Sequence, residues 1–85
     1  RDKIMFLSLK NIKNKIADYL LRHLSSPDAS TVKLSDTQQE IADRFGVTRP
    51  SLARAFAEME QEGIISIDRK TITINRLQQL RQIAK

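Results

Sequence analysis

The chain has 85 residues, enough for one small domain but too few to enclose a deep substrate cavity beside its core. It contains no cysteine and one histidine, which excludes disulfides, thiolate metal sites and histidine metal cages within this sequence. Fifteen lysines and arginines against ten acidic residues give a net charge of +5, which favours a polyanion or an anionic surface as partner.

Charge is distributed unevenly along the sequence. The parts before residue 34 and after residue 62 are basic, whereas the part between them has a net negative charge. An anion-binding surface must therefore be assembled from separate parts of the chain. No apolar run approaches the roughly 18 residues of a membrane span, so we expect no membrane partner. The sequence starts with Arg1 rather than Met, and we interpret it as a piece of a longer protein.

The first predicted element is an amphipathic helix. Apolar residues recur at intervals of three and four positions from Leu9 to Leu24, with basic residues on the other faces. The Ser-Ser-Pro-Asp sequence at residues 25–28 ends this helix. An alternating stretch at residues 32–34 is long enough only for a short strand. Residues 1–8, with an apolar run at 4–7, are compatible with a separate helix before the first one.

Two shorter helices are predicted next. Thr37 and Glu40 form a capping-box pattern at the start of the first, and Gly46 supplies the left-handed residue that ends it. Thr48 caps the second, which runs to about Glu62.

Residues 38–55 satisfy the geometry of a DNA-binding helix-turn-helix. Two short helices that cross steeply need a small residue at their contact and a glycine in the turn, and Ala42 and Gly46 supply them. Two packed helices of an ordinary bundle are the alternative. The expected core between the helices consists of Ile41, Phe45, Val47, Leu52 and Ala55.

A β-hairpin and a last helix complete the predicted fold. Stretches rich in β-branched residues at 64–67 and 71–74 flank the turn Asp68-Arg69-Lys70, which predicts a hairpin with a basic tip. Asn75 and Gln78 have the spacing of a cap for the final helix. The order of elements predicts a mainly α fold with a small β-hairpin, a winged helix-turn-helix.

The helix from Thr48 to Glu62 is the predicted recognition helix. Such helices place their N-terminal residues against base edges in the major groove, where arginine binds guanine O6 and N7 in a bidentate manner. We expect Arg54 to read a guanine, Arg49 to read a guanine or hold a phosphate, and Pro50 to contact a thymine methyl group. The residues expected to bind the DNA backbone, through hydroxyls, an amide, helix N-termini or wing charges, are Thr37, Gln39, Thr48, Ser51, Arg69 and Lys70.

Four segments resemble the C-terminal winged-helix domain of Crp/Fnr-type bacterial transcription regulators. They are TQQEIA at residues 37–42, GVTRPSLAR at 46–54, EGII at 62–65 and KTI at 70–72. The resemblance implies that the family's base-reading arginine falls on Arg54. Much of the family has glutamate where Pro50 stands, so we do not expect the best-known half-site of the family.

The resemblance also implies an organisation for the longer protein. A sensor β-barrel and a dimerisation helix would precede this segment, with residues 1–10 as the tail of that helix and a hinge, and residues 11–85 as the DNA-binding domain. The expected protein is a cytoplasmic homodimer on double-stranded DNA, with RNA polymerase as a further candidate partner. No cofactor is expected in this segment, because a small-molecule effector would bind the sensor domain.

The same residues give less support to other functions. An enzyme is not expected, because Glu58, Glu60 and Glu62 lie at a helix end without a partner base, and we interpret them as a solvated helix face. A winged-helix module for protein–protein contact is the main alternative, with residues 58–62 and the apolar N-terminus as its interface. Double-stranded RNA is less favoured, because its deep, narrow major groove would exclude the helix.

Overall fold

The computed structural model describes residues 9–24, 26 and 29–84, which form four helices and three short strands. In chain order the elements are α1 (Leu9–Arg22), β1 (Thr31–Lys33), α2 (Gln38–Phe45), α3 (Arg49–Gln61), β2 (Ile65–Asp68), β3 (Thr71–Ile74) and α4 (Leu77–Ala84). The predicted apolar segment at residues 4–7 lies outside the described residues, as do residues 25, 27 and 28 of the predicted loop. None of the described helices is long and apolar enough to cross a membrane.

Helix α1 forms one wall of the core, as its apolar periodicity predicts. Its residues Ile12, Ile16, Tyr19 and Leu20 are at most 5% exposed, and their spacing of three and four places them on one face. This face packs against α3 and α4.

Local capping interactions set the bounds of α2, and the predicted capping box is confirmed. The Thr37 amide donates to Glu40 Oε1 at 2.8 Å, and the Glu40 amide donates to Thr37 Oγ1 at 3.1 Å. Gly46 follows the helix with φ of 73°, a left-handed conformation that favours glycine. The chain therefore turns sharply before Thr48, whose Oγ1 accepts from the Ser51 amide and caps α3.

The two helices bury the residues that the helix-turn-helix pattern requires, with Ile41 and Ala42 from α2 and Leu52 and Ala55 from α3 fully buried. Two predicted core residues, Phe45 and Val47, are only partly buried and pack at its edge.

A three-stranded antiparallel sheet in the order β1-β3-β2 closes the fold. The predicted hairpin is its β2–β3 pair, in register from Ile65 opposite Ile74 to Asp68 opposite Thr71. The short strand starts at Thr31, one residue earlier than predicted, and pairs with β3. The predicted cap at Asn75 is wrong, because α4 begins at Leu77 and the Asn75 side-chain amide donates to Ser66 Oγ at 2.9 Å.

Candidate nucleic-acid interface

Helix α3 buries one face and exposes another. The residues predicted for the outward face, Pro50, Ala53, Arg54 and Ala57, are all exposed, as is Arg49 at the first helical position. The opposite face is buried through Leu52, Ala55, Phe56 and Met59. In its N-terminal half, the exposed face therefore carries only small side chains beside its arginines, so this part of the helix can approach a partner closely.

Four cations of the predicted site are exposed and are not neutralised by a carboxylate of the protein. Within the described part of the chain, Arg49, Arg54, Arg69 and Lys70 make no ion pair, and all four are exposed. Lys13, Arg22 and Arg44 are paired within the protein. Five further cations also make no ion pair among the described residues, namely Lys10, Lys15, Lys33, Arg76 and Arg81, so the four of the predicted site are distinguished by their position on α3 and the β2–β3 turn. The unpaired set is thus free to neutralise an external anion.

A cleft of about 160 Å³ brings parts of the site together from three stretches of the chain. Its walls include Thr37 before α2, Arg49 at the start of α3, and Arg69 and Lys70 from the β2–β3 turn. The apolar floor consists of Leu34, Phe56, Ile67 and Ile72. This arrangement brings together cations from the middle and the C-terminal parts of the sequence. Arg54, the fourth of these cations, is not among the residues that line the cleft. It lies further along α3, one turn after Pro50.

The polar side chains predicted to bind phosphate serve first as helix caps or local donors. Thr48 Oγ1 donates to Ser51 Oγ at 2.9 Å, and Gln39 Nε2 donates to Asp43 Oδ1 at 2.9 Å. All lie at the N-terminal ends of α2 and α3, as capping residues or in the first turn, where backbone amides lack intrahelical partners. The caps orient these amides and hydroxyls on the surface, and the local bonds between exposed side chains can be exchanged for bonds to a phosphate.

The wing tip holds a residue in an unusual conformation. Arg69 has φ of 59°, in the left-handed backbone region that residues other than glycine and asparagine rarely adopt. The pairing of Asp68 with Thr71 leaves only Arg69 and Lys70 in the turn, so the tight connection imposes this conformation. Nothing in the local sequence signals it, because glycine is the residue expected there.

The sequence pattern of the Crp-like helix-turn-helix domain family matches residues 14–83. The chain belongs to this family. It is 36% identical over 72 residues to the nitrogen fixation regulation protein FixK of Bradyrhizobium diazoefficiens, an alignment that covers 79% of this chain and 30% of FixK. It is 30% identical over 77 residues to the cAMP-activated global transcriptional regulator CRP of Salmonella typhimurium, with 86% and 37% of the two chains covered.

The solved structure of DNR from Pseudomonas aeruginosa shows the same fold. It matches the Crp-like domain with a TM-score of 0.78 at 23% identity, over 88% of this chain and 34% of DNR. The chain thus spans about a third of the length of these relatives. The predicted winged helix-turn-helix fold and the resemblance to Crp/Fnr regulators are confirmed, and the relatives FixK and CRP are themselves regulators.

The glutamates at the end of α3 are largely exposed, as predicted for a solvated face, and they also contact other elements of the Crp-like domain. Lys13 Nζ on α1 lies 2.7 Å from Glu58 Oε1 and 3.1 Å from Glu62 Oε2. Glu60 Oε2 accepts from the Ile67 amide of β2 at 3.2 Å. The hydrogen bond to Glu58 raises the pKa of Lys13, although partial burial opposes this. These partners are distant in sequence, so helical spacing could not reveal them.

A second set of contacts that the sequence analysis missed surrounds Tyr19 of α1. Its hydroxyl donates to Asp36 Oδ2 at 2.8 Å, and Arg44 Nη2 lies 3.6 Å from the same oxygen. Burial, followed by the hydrogen bond to Asp36, raises the pKa of Tyr19 to about 12. The Tyr19 ring also stacks on His23 and meets Phe45 edge to face at 6.0 Å. This set links α1 to both ends of α2.

Proposed function

We propose that this chain is the DNA-binding domain of a longer transcription regulator, with α3 in the major groove and the β2–β3 turn on the flanking backbone. The observation that carries the proposal is the position of four unpaired cations, Arg49, Arg54, Arg69 and Lys70, on the exposed side of α3 and the wing, with three of them around one cleft. Phosphate contacts supply most of the sequence-independent affinity for DNA, and such contacts need cations that are not already neutralised.

Base reading is proposed for the outward face of α3. Arg54 is exposed and reaches guanine O6 and N7, a contact worth about 1–3 kcal/mol of discrimination against other bases. Arg49 binds a guanine or a phosphate near the cleft, and Pro50 lies against a thymine methyl group. Because proline offers no acceptor to cytosine N4, the preferred half-site differs from that of relatives with glutamate at this place.

We propose that residues around the cleft and at the helix N-termini bind the phosphate backbone of DNA and so position the domain on the duplex. Hydroxyls and amides at the starts of α2 and α3, with the two wing cations, would hold successive phosphates on one strand. The residues are Thr37, Gln39, Thr48, Ser51, Arg69 and Lys70.

The longer protein is proposed to be a cytoplasmic homodimer. Its effector would bind a sensor part outside this sequence, and RNA polymerase is a further proposed partner. The alternative, a winged-helix module for protein–protein contact, receives less support, because Glu58 and Glu62 of its acidic interface are engaged by Lys13.

Salt dependence of binding tests the proposal directly. The chain is titrated against a labelled random duplex by fluorescence polarisation over a series of salt concentrations. If about five phosphates are neutralised, log K falls with log salt at a slope of about −4 to −5. A slope near zero, or the same affinity for a neutral polymer, would contradict DNA binding by this surface. Selection from a random duplex library then identifies the preferred half-site.

A further inference from the structure

An acidic residue stands in the wall of the cationic cleft. Asp36 lines this cleft together with Arg49, Arg69 and Lys70, and it directly precedes the capping residue Thr37. A carboxylate in this place is unfavourable for phosphate binding, both because it repels the phosphate and because it can pair with the cations. The position of the Asp36 carboxylate therefore affects how well the cleft can bind phosphate.

The carboxylate of Asp36 is held by groups outside the set of unpaired cations. Tyr19 donates to Asp36 Oδ2 at 2.8 Å from α1, and Arg44 approaches the same oxygen to 3.6 Å from the last turn of α2. The Asp36 side chain is 22% exposed. Within the described residues, its ion pair is with Arg44 and not with a cation of the cleft.

The position of the Tyr19 hydroxyl is itself fixed by packing. Tyr19 is only 5% exposed, and its ring contacts both His23 and Phe45. The backbone of α1 packs mainly on α3 and α4, so this side chain provides a specific link from α1 to the segment that begins α2. A hydrogen bond from a rigidly held phenol gives the carboxylate one preferred direction.

We propose that Tyr19 is a positioning residue for DNA binding: its hydroxyl holds the Asp36 carboxylate toward α1 and Arg44, and thereby keeps Arg49, Arg69 and Lys70 available to phosphate. The inference rests on the proposed function. Without the hydroxyl, the carboxylate loses its closest partner and pairs with the cations of the cleft, where it competes with DNA.

A double-mutant cycle separates this role from a merely structural one. The variants are Tyr19→Phe, Asp36→Asn and the two combined, and each binding constant is measured on random duplex after the fold is checked by circular dichroism. Tyr19→Phe should bind about two- to fivefold more weakly, the range of one exposed charge pair. In the Asp36→Asn background the same change should have no effect, because no competing charge remains.

Asp18→Asn serves as the matched control, since it also removes one acidic charge from an exposed ion pair, with Arg22 on α1. Asp36→Asn should bind at least as tightly as this control. Wild-type affinity in Tyr19→Phe, or an equal loss in both Asp36 backgrounds, would overturn the inference while leaving DNA binding in place. If the wild-type chain binds no duplex at all, the proposed function fails, and this inference fails with it.

Discussion

Lys13 Nζ lies 2.7 Å from Glu58 Oε1, and this ion pair connects α1 to the C-terminal half of α3. The Lys13 side chain is only 14% exposed, whereas Glu58 and Glu62 retain 41% and 48% exposure. Water therefore screens the carboxylates more than the ammonium, and we expect a moderate contribution to stability rather than that of a buried pair.

Replacing Lys13 by methionine should lower the free energy of unfolding by about 1 kcal/mol, because the aliphatic stem is kept and the two charge interactions are lost. Lys15→Met is the matched control, since Lys15 is an exposed lysine of the same helix. Urea unfolding of both variants measures the difference. Equal midpoints for the two variants would show that the ion pair contributes nothing.

The pH dependence of stability should reflect Tyr19. Its pKa is raised from 10.0 to about 12 in the folded chain, so the protonated form is favoured by folding. This contribution is fully present below about pH 10 and is lost as the pH rises toward 12. Lys13 acts in the same direction, because its pKa is also raised and its contribution also disappears at high pH.

Tyr19 is the only tyrosine, and there is no tryptophan, so ultraviolet absorbance reports its ionisation without interference. In Asp36→Asn the tyrosine midpoint should fall part of the way toward 10, because burial, the larger cause, remains. An unchanged midpoint in this variant would contradict the hydrogen bond to Asp36.

Arg54→Ala and Lys70→Ala should distinguish recognition of a base from contact with the DNA backbone. Arg54→Ala should weaken binding by about 1–3 kcal/mol on the selected site and much less on random duplex. Lys70→Ala should weaken binding to both duplexes equally and reduce the salt slope by about one. Each variant loses one positive charge, so each controls for the other. Equal losses on both duplexes for Arg54→Ala would show that Arg54 reads no base.

The left-handed conformation of Arg69 predicts opposite effects on stability and binding. Arg69→Gly should leave the melting temperature unchanged or raise it, because relief of about 1–2 kcal/mol of backbone strain offsets the entropy of glycine. Lys70 does not have a positive φ, so Lys70→Gly relieves no strain. It should lower the free energy of unfolding by about 0.5–1 kcal/mol. Both should bind DNA more weakly, as polarisation titrations would show. A loss of stability in Arg69→Gly equal to that in Lys70→Gly would contradict the strain.

Spacer variants test the proposed homodimer with the longer protein. Two recognition helices related by a two-fold axis would read half-sites about 34–36 Å apart. Inserting about five base pairs turns one half-site to the opposite face of the duplex and should abolish high-affinity binding, whereas inserting a full turn should restore part of it. Unchanged affinity after the half-turn insertion would indicate that each domain binds alone.

The features predicted correctly from sequence are those whose partners are close in the chain. The capping box of Thr37 and Glu40 and the left-handed Gly46 depend on spacings of a few residues, and the structure confirms them. The exposure of Arg49 and Arg54 follows from helical periodicity in the same way. Their roles toward DNA stay predictions.

Apart from the left-handed Arg69 of the tight turn, the missed features depend on contacts between distant residues. The carboxylate of Glu58 meets Lys13 of another helix, and Asp36 meets Tyr19, so neither pair leaves a local pattern. Asn75 has the spacing of a helix cap, but its side-chain amide donates a hydrogen bond to Ser66 across the hairpin instead. Tertiary contacts can thus redirect a polar side chain whose local alternatives are similar in energy.

The pairing of β1 with β3 has a consequence for how the domain folds. Thr31 lies opposite Thr73, so this pairing closes a loop that contains the whole of α2, α3 and β2. The β2–β3 hairpin needs only a two-residue turn, whereas β1 can join only after the ends of that long loop have met, which costs far more chain entropy. The three residues of β1 should therefore be among the last to form and the first to separate. Hydrogen exchange should accordingly be faster at the Leu34 amide, which donates to Lys70 at the end of this pairing, than in the hairpin beside it.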